Sequence, residues 1–396
     1  MSKVPSLKSL SPRLREWLRL GHIWIGLVLC LPLAVLGVTG SILVYDHEFI
    51  ALFNGGSEPA RISASGQQRS AEEIIKAAQP SAPQGARTSS ISLPAEPGEP
   101  AVVRFQRQGA QQGPGGQAMI RIDPVSLEEV TGGGNIMPQW MRVVHQLHGN
   151  FMYGREGRDV VGWMGVVMLI LGVTGLVIWW PRPKRWKAAF GVSRKAKGML
   201  LHREVHGAVG IWGLAVFIVV SFSGVYITFP QTTAEIVKAV FPAERDLRAL
   251  ASSVRVQPVK DAQPIGVNQA VGIAESDVAG ARVRAIFLPA RPDQPIRISM
   301  TREGHEDGAP MISMFIDQWK GEVAQKVDPR EFTTGESIMA WQRPLHAGAG
   351  LGWLYRFLVF LSGLMPVAFA ITGIAMWLYK QKAKRKMKAM LSAPAE

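Results

Sequence analysis

Four runs of almost continuous apolar residues punctuate the chain, at Ile23–Val44, Val160–Trp180, Ala208–Phe229 and Phe357–Tyr379. Each reaches the roughly 20 residues that a helix needs to cross a ~30 Å hydrocarbon layer. The first exceeds a signal-peptide core and no small-residue cleavage site follows it, so it is expected to be a retained helix. Trp24, Trp163, Trp179, Trp180, Trp353 and Trp377 fall near the run ends, where an amphipathic ring favours the headgroup layer. Two long segments, 47–158 and 230–352, separate the runs and carry helix and strand patterns of their own. A helical stretch at Ala71–Ala78 precedes a strand pattern at Ala101–Arg107 and another ending in Ile122-Asp123. Val267–Glu275 stands in the same relation to Ile296–Arg302 and a strand ending in Ile316-Asp317. The pattern predicts a membrane protein of four transmembrane α-helices with two outer α+β modules. Its divisions are 1–46, 47–158, 159–180, 181–204, 205–229, 230–352, 353–379 and 380–396.

The two halves repeat each other, which points to an internal duplication. Leu93-Pro-Ala-Glu-Pro-Gly-Glu-Pro100 returns as Leu288-Pro-Ala-Arg-Pro-Asp-Gln-Pro295. His22 is followed 4 residues on by Gly26 and 18 on by Gly40; His206 is followed likewise by Gly210 and Gly224. Leu147-His148 lies 27 residues before Gly175, and Leu345-His346 lies 27 before Gly373. A hydroxyl residue precedes each distal glycine: Thr39, Thr174, Ser223 and Thr372. The glycine runs 113–116 and 132–134 read as turns, since neither joins a strand to a helix as a dinucleotide fingerprint requires.

Charge supplies the orientation. The 396 residues hold 44 Lys and Arg against 30 Asp and Glu, a net charge of +14, with 47% apolar side chains. That apolar content excludes a disordered chain. The single cysteine, Cys30, excludes a disulfide framework and a cysteine-based zinc or iron–sulfur site. Residues 1–19, 181–204 and 380–396 hold 19 of the basic residues against Glu16, Glu204 and Glu396, leaving −2 for the rest. The positive-inside rule then puts both termini and the 181–204 connector in the cytoplasm and the two large loops outside. Those loops have no basic excess, so nucleic acid is not an expected partner.

Six of the eight histidines stand near span ends in matched positions. Eighteen residues make five helical turns, so His22 and Gly40 share a face about 27 Å apart, as do His206 and Gly224. Ionisable groups near the membrane interior are costly and mark function. A porphyrin between helices needs two axial imidazoles and small residues where the macrocycle crowds the backbone. The expected arrangement is two haems. His22 and His206 ligate one on the cytoplasmic side; His148 and His346 ligate the other on the outer side. Gly175 and Gly373 notch the inner layer, and Gly40 and Gly224 the outer. Two alternatives stay open. Trp140-x-Arg142-x-x-His145 matches Trp341-x-Arg343-x-x-His346, which offers His145 in place of His148, and His202 lies one turn from His206. Arg142 and Arg343 are either ordinary interfacial anchors or candidates to pair with haem propionates or an anionic substrate. Two histidines per layer without cysteine or a carboxylate pair make a poor zinc set. Asp46-His47-Glu48 just outside the first span has the groups to bind a metal but reads rather as a solvated helix end, and no Ser/His/Asp arrangement is evident.

The chain resembles the PepSY-associated transmembrane helix family of bacterial inner-membrane proteins. The residues that carry the likeness are Leu20-Gly-His22-Ile-Trp24-Ile-Gly26, Gly37-Val-Thr39-Gly40, Leu147-His148-Gly149, Thr174-Gly175 through Trp179-Trp180-Pro181, Val205-His206-Gly207 and Thr372-Gly373 through Trp377. The resemblance implies PepSY-like folds for the two periplasmic modules and a link to iron acquisition. Some members are similar to di-haem reductases of ferric siderophores.

The expected function is therefore a transmembrane electron conduit with two b-type haems, a haem-dependent oxidoreductase that reduces a periplasmic ferric siderophore. The lipid bilayer surrounds it, and a quinol or a cytoplasmic reductase donates the electron. No acid–base chemistry is asked of the protein, because the cofactor carries the redox step. Gly348-Ala-Gly350-Leu-Gly352 beside His346 is a candidate for close approach of substrate or haem edge, or simply a turn. The rival readings are a membrane-tethered PepSY protein that docks or inhibits a peptidase, and a transport subunit for an iron chelate.

Overall fold

A computed structural model describes residues 11–53, 62–63, 66–107, 117–130, 137–181 and 186–392. The glycine runs 113–116 and 132–134 lie outside the described residues, as do Lys3, Lys8, Arg182, Lys184, Arg185 and Glu396 of the charge count. In chain order the helices are α1 (Pro12–Val44), α2 (Asp46–Phe53), α3 (Ala71–Ala78) and α4 (Gln139–Asn150). There follow α5 (Gly154–Trp179), α6 (Trp186–Ala189), α7 (Gly198–Thr228) and α8 (Pro230–Val240). The last are α9 (Leu247–Ser253), α10 (Val267–Asp277), α11 (Thr334–Ala347) and α12 (Gly352–Leu391). The chain divides into a helical unit, residues 1–50, 137–236 and 341–396, and a sheet unit, residues 51–136 and 237–340. The segments 137–158 and 341–352, assigned to the outer loops on sequence, thus belong to the helical unit.

In the helical unit, α1, α5, α7 and α12 are long and apolar enough to cross a membrane. They contain the four predicted spans except for Trp180 and Phe229, each one residue past a helix end, and extend beyond most of the predicted ends. At the start of α1, the Ser11 hydroxyl accepts from the Leu14 amide and Pro12 occupies the first turn, where no donor is lost. α1 packs on α12, α12 on α7, α7 on α5 and α5 on α1, closing a ring. Small residues set the approach, as in membrane helices generally. A Cβ at Gly37 would collide with the Gly363 carbonyl, one at Gly363 with Ser41, and Ser41 Oγ donates to Phe360 O across the contact at 2.7 Å. Arg356 of α12 closes the end of α1, donating to Val44 O at 2.9 Å, stacking over Tyr45 and pairing with Glu48 at 2.7 Å. Glu48 is thereby engaged and His47 is exposed, so Asp46-His47-Glu48 is an ordinary first helical turn. Gly348, Gly350 and Gly352 all take left-handed φ, from +73° to +78°, making the turn from α11 into α12 one that glycine alone enters without strain.

Among the described residues the sheet unit holds seven antiparallel strands: β1 (Ala86–Ser92), β2 (Ala101–Arg107), β3 (Gln117–Ile122), β4 (Arg282–Phe287), β5 (Ile296–Thr301), β6 (Ile312–Asp317) and β7 (Glu322–Val327). Their order is β3-β2-β1-β4-β5-β6-β7. The two loop segments therefore share one sheet, where two separate modules were expected. β1 would otherwise be an open edge, and β4 pairs with it through Ser90–Phe287, Ile91–Ile286 and Ser92–Ala285. Ile91, Val103, Phe105, Ile122, Ile286, Ile298, Met314 and Ile316 face one continuous core. Ile74 and Ala78 of α3 and Ala270 and Ala274 of α10 complete it. A capping box starts α3, with Ser70 and Glu73 each bonding the other's backbone. Asp123 and Asp317 end corresponding strands and make the same turn, each carboxylate accepting the amides two and three residues on.

Candidate functional site

Two pairs of histidines from different helices face each other inside the helical unit. His22 of α1 and His206 of α7 have ring centroids 6.3 Å apart, with planes 74° from parallel. His148 of α4 and His346 of α11 are 5.9 Å apart at 42°. Along α1, His22 and the Gly40 that touches the second pair are separated by 18 residues, about 27 Å of helix. The sites form two layers.

The same local device holds all four rings. His22 Nδ1 lies 2.9 Å from Thr174 Oγ1 of α5, and His206 Nδ1 lies 2.8 Å from Thr372 Oγ1 of α12. His148 Nδ1 lies 3.3 Å from Thr39 Oγ1 and 3.0 Å from Leu36 O, both of α1. His346 Nδ1 lies 3.1 Å from Ser223 Oγ and 3.0 Å from Val220 O, both of α7. Each hydroxyl also bonds a carbonyl of its own helix. Among the described residues no hydrogen bond engages the Nε2 of these four histidines.

The distal glycines let the rings reach these partners. Leu36 and Val220 precede Gly40 and Gly224 by four residues, so a missing side chain bares the carbonyl one turn below. A Cβ at Gly40 would sit 2.8 Å from His148 Cε1, and one at Gly224 would sit 3.1 Å from His346 Cε1. In the other layer a Cβ at Gly175 would come 3.3 Å from His22 Cε1, while one at Gly373 meets nothing within 4 Å. The layer of His148 and His346 is thus the closer packed. Phe369 flanks His206 at 4.8 Å, and Tyr355 donates to Leu345 O beside His346 at 2.7 Å.

The sequence alternatives separate in space. His148 meets His346, whereas His145, three residues earlier, is exposed. His206 meets His22, whereas His202 lies against the ring of Tyr379 at 5.9 Å. Arg142 and Arg343 are both exposed, on α4 and α11. The carbonyls of Leu36 and Val220 and the rings of Phe369 and Tyr355 have no counterpart in the sequence reading. The four hydroxyls were visible as a repeat without an assigned role.

Two imidazoles bonded to opposite sides of one metal, at about 2 Å each, have centroids roughly 6 Å apart. Both pairs meet that spacing with Nε2 unengaged, which fits axial ligation of a haem iron. Among the described residues no three His, Cys, Asp or Glu side chains gather in a group suited to a metal ion. The model of a family described as the PepSY-associated TM region matches residues 19–380. Comparison with curated proteins gives no match.

Proposed function

Because the chain belongs to the family of the PepSY-associated TM region, we propose that it is a di-haem transmembrane electron conduit that reduces a ferric chelate on the periplasmic side of the bacterial inner membrane. The observation that carries this reading is the facing of two histidine pairs at 6.3 and 5.9 Å. Haem held between such pairs supplies reversible one-electron exchange.

The protein's part is to hold and orient. His22 and His206 would ligate an inner b-type haem, and His148 and His346 an outer one. Gly40, Gly224, Gly175 and Gly373 would give the rings and macrocycles room, and the hydroxyls would fix each imidazole. Arg142 and Arg343, exposed near the outer pair, would offer cations to propionates or to an anionic chelate. The basic segments 1–19, 181–204 and 380–396 favour cytoplasmic termini. That orientation puts His22 and His206 on the cytoplasmic side and the sheet unit in the periplasm. The matched histidine, glycine and hydroxyl positions, and the repeated helix and strands of the sheet unit, support an internal duplication with PepSY-like halves. A ferric siderophore is the acceptor this reading favours, since hard oxygen ligands hold ferrous iron far less tightly. A quinol or a separate reductase would donate the electron.

The test is reconstitution into vesicles with a reductant supplied on the side of the basic segments and a ferric siderophore on the other. Ferrous iron should appear on the siderophore side, trapped by a ferrous-specific chelator, and His22→Ala and His346→Ala should each abolish it. Equal rates in wild type and both variants would sink the proposal.

A further inference from the structure

We infer that Thr39, Thr174, Ser223 and Thr372 are positioning residues that commit each facing histidine to the Nδ1–H tautomer, and that the inner pair depends on them more than the outer pair does. The inference about tautomers rests on hydrogen-bond geometry; its use in ligation rests on the haem reading above.

A hydroxyl has one proton to give. Thr39 Oγ1 lies 2.7 Å from Val35 O, Thr174 Oγ1 2.7 Å from Ile170 O, Thr372 Oγ1 2.6 Å from Ala368 O and Ser223 Oγ 2.9 Å from Val220 O. A carbonyl has no proton, so in each of these bonds it is the hydroxyl that donates, to its own helix. Its remaining lone pairs can only accept, so the imidazole nitrogen facing it has to be the donor. Nδ1 is then protonated, and the lone pair sits on Nε2. Fixing the tautomer by a hydrogen bond at the other ring nitrogen is how ligating histidines are oriented and made more basic.

The layers differ in redundancy. His148 and His346 also reach the carbonyls of Leu36 and Val220, each at 3.0 Å, through the notches at Gly40 and Gly224. Those acceptors enforce the same tautomer without the hydroxyl. For His22 and His206 the hydroxyls of Thr174 and Thr372 are the acceptors, and among the described residues no backbone carbonyl also bonds their Nδ1. Removing a hydroxyl should therefore free the inner rings and leave the outer rings held.

The experiment compares full-length wild type, the Thr174→Val/Thr372→Val double variant and the Thr174→Ser/Thr372→Ser double variant, all 15N-labelled at histidine. Valine keeps the shape of threonine without the hydroxyl, and serine keeps the hydroxyl. The first readout is hydrogen exchange of the imidazole Nδ1–H by NMR, recorded on reduced protein. In the valine variant, exchange at His22 and His206 should speed by roughly fivefold to tenfold, the worth of one hydrogen bond. It should be restored in the serine variant and stay unchanged at His148 and His346. The second readout is a redox titration, in which the midpoint potential of the inner haem alone should rise, because a less basic ligand stabilises ferric iron less. Protection at His22 and His206 that survives the valine changes overturns the inference, and so does an Nε2–H signal for any of the four rings in haem-free protein. A colourless wild type with the predicted exchange pattern sinks the haem reading and upholds the tautomer assignment.

Discussion

Replacing Gly40 by alanine brings a Cβ to 2.8 Å from His148 Cε1, well inside contact distance. Alanine is preferred over glycine in a helix by up to about 1 kcal/mol. Against that gain stands overpacking, which costs about 1–3 kcal/mol where neighbours cannot move. His148 is poorly placed to move. Its Nδ1 is bonded to Leu36 O at 3.0 Å, and withdrawing the ring breaks that bond, at a further cost of about 1 kcal/mol. The net for Gly40→Ala is a loss of roughly 1–3 kcal/mol. The other three notches form a graded series. A Cβ at Gly224 comes 3.1 Å from His346, one at Gly175 comes 3.3 Å from His22, and one at Gly373 touches nothing within 4 Å. Gly224→Ala should cost less than Gly40→Ala, Gly175→Ala should be near neutral, and haem-free Gly373→Ala should gain up to about 1 kcal/mol. Thermal unfolding of the four variants in one detergent, under haem-depleted conditions, gives the ranking. A flat series, or Gly373→Ala as the most damaging, would refute the argument that the outer rings are seated in glycine notches.

Further outcomes follow from other parts of the molecule. Burial pushes the Asp123 carboxyl up, but the amides of Ser63, Val125 and Ser126 outweigh it and hold the group at about 2. Glu336 is held at about 2 chiefly by its bond to Arg245, in spite of burial. Both folded values lie below the ordinary ones, so each carboxylate stabilises the sheet unit fully above about pH 5. That stability, about 2 kcal/mol for Asp123 and about 3 kcal/mol for Glu336, is lost as pH falls toward 2; Asp123→Asn should flatten the acid limb of an unfolding titration. Glu336→Gln should destabilise by about 3 kcal/mol, because it strips a bidentate partner from Arg245 at 2.8 and 3.1 Å, and Arg245→Ala added to it should cost little more. Chemical denaturation of the two single variants and the double variant measures that coupling. His346→Ala should remove one haem and leave the inner one, read from haem content per chain.

The sequence made the membrane part legible because the physics there is one-dimensional. Twenty apolar residues in a row have few other folds, and the span predictions are contained almost wholly within α1, α5, α7 and α12. The pairing of histidines was also legible, since repeats at 18 and 27 residues fix which rings share a layer. What the hydroxyls do was hidden. Thr39 and Thr174 look like ordinary small residues beside glycine, and only the crossing of helices shows that an imidazole nitrogen meets each one. The carbonyls of Leu36 and Val220 carry no side-chain signal at all; they are exposed by what Gly40 and Gly224 lack. In the sheet unit, β2 and α3 matched their predicted ranges, Ala101–Arg107 and Ala71–Ala78. β1 did not stand out because Ala86–Ser92 is rich in Ser and Thr and carries a bulge between Thr88 and Ser90. Its pairing with β4, which fuses two expected modules into one sheet, joins positions almost 200 residues apart, and no local pattern encodes it.

Every proposed role of the helical unit depends on whether the paired histidines hold haem. The absorption spectrum of the purified protein decides this. The prediction is a Soret band that shifts on dithionite, with haem content near two per chain. A folded, colourless protein, produced with haem in supply, would contradict it.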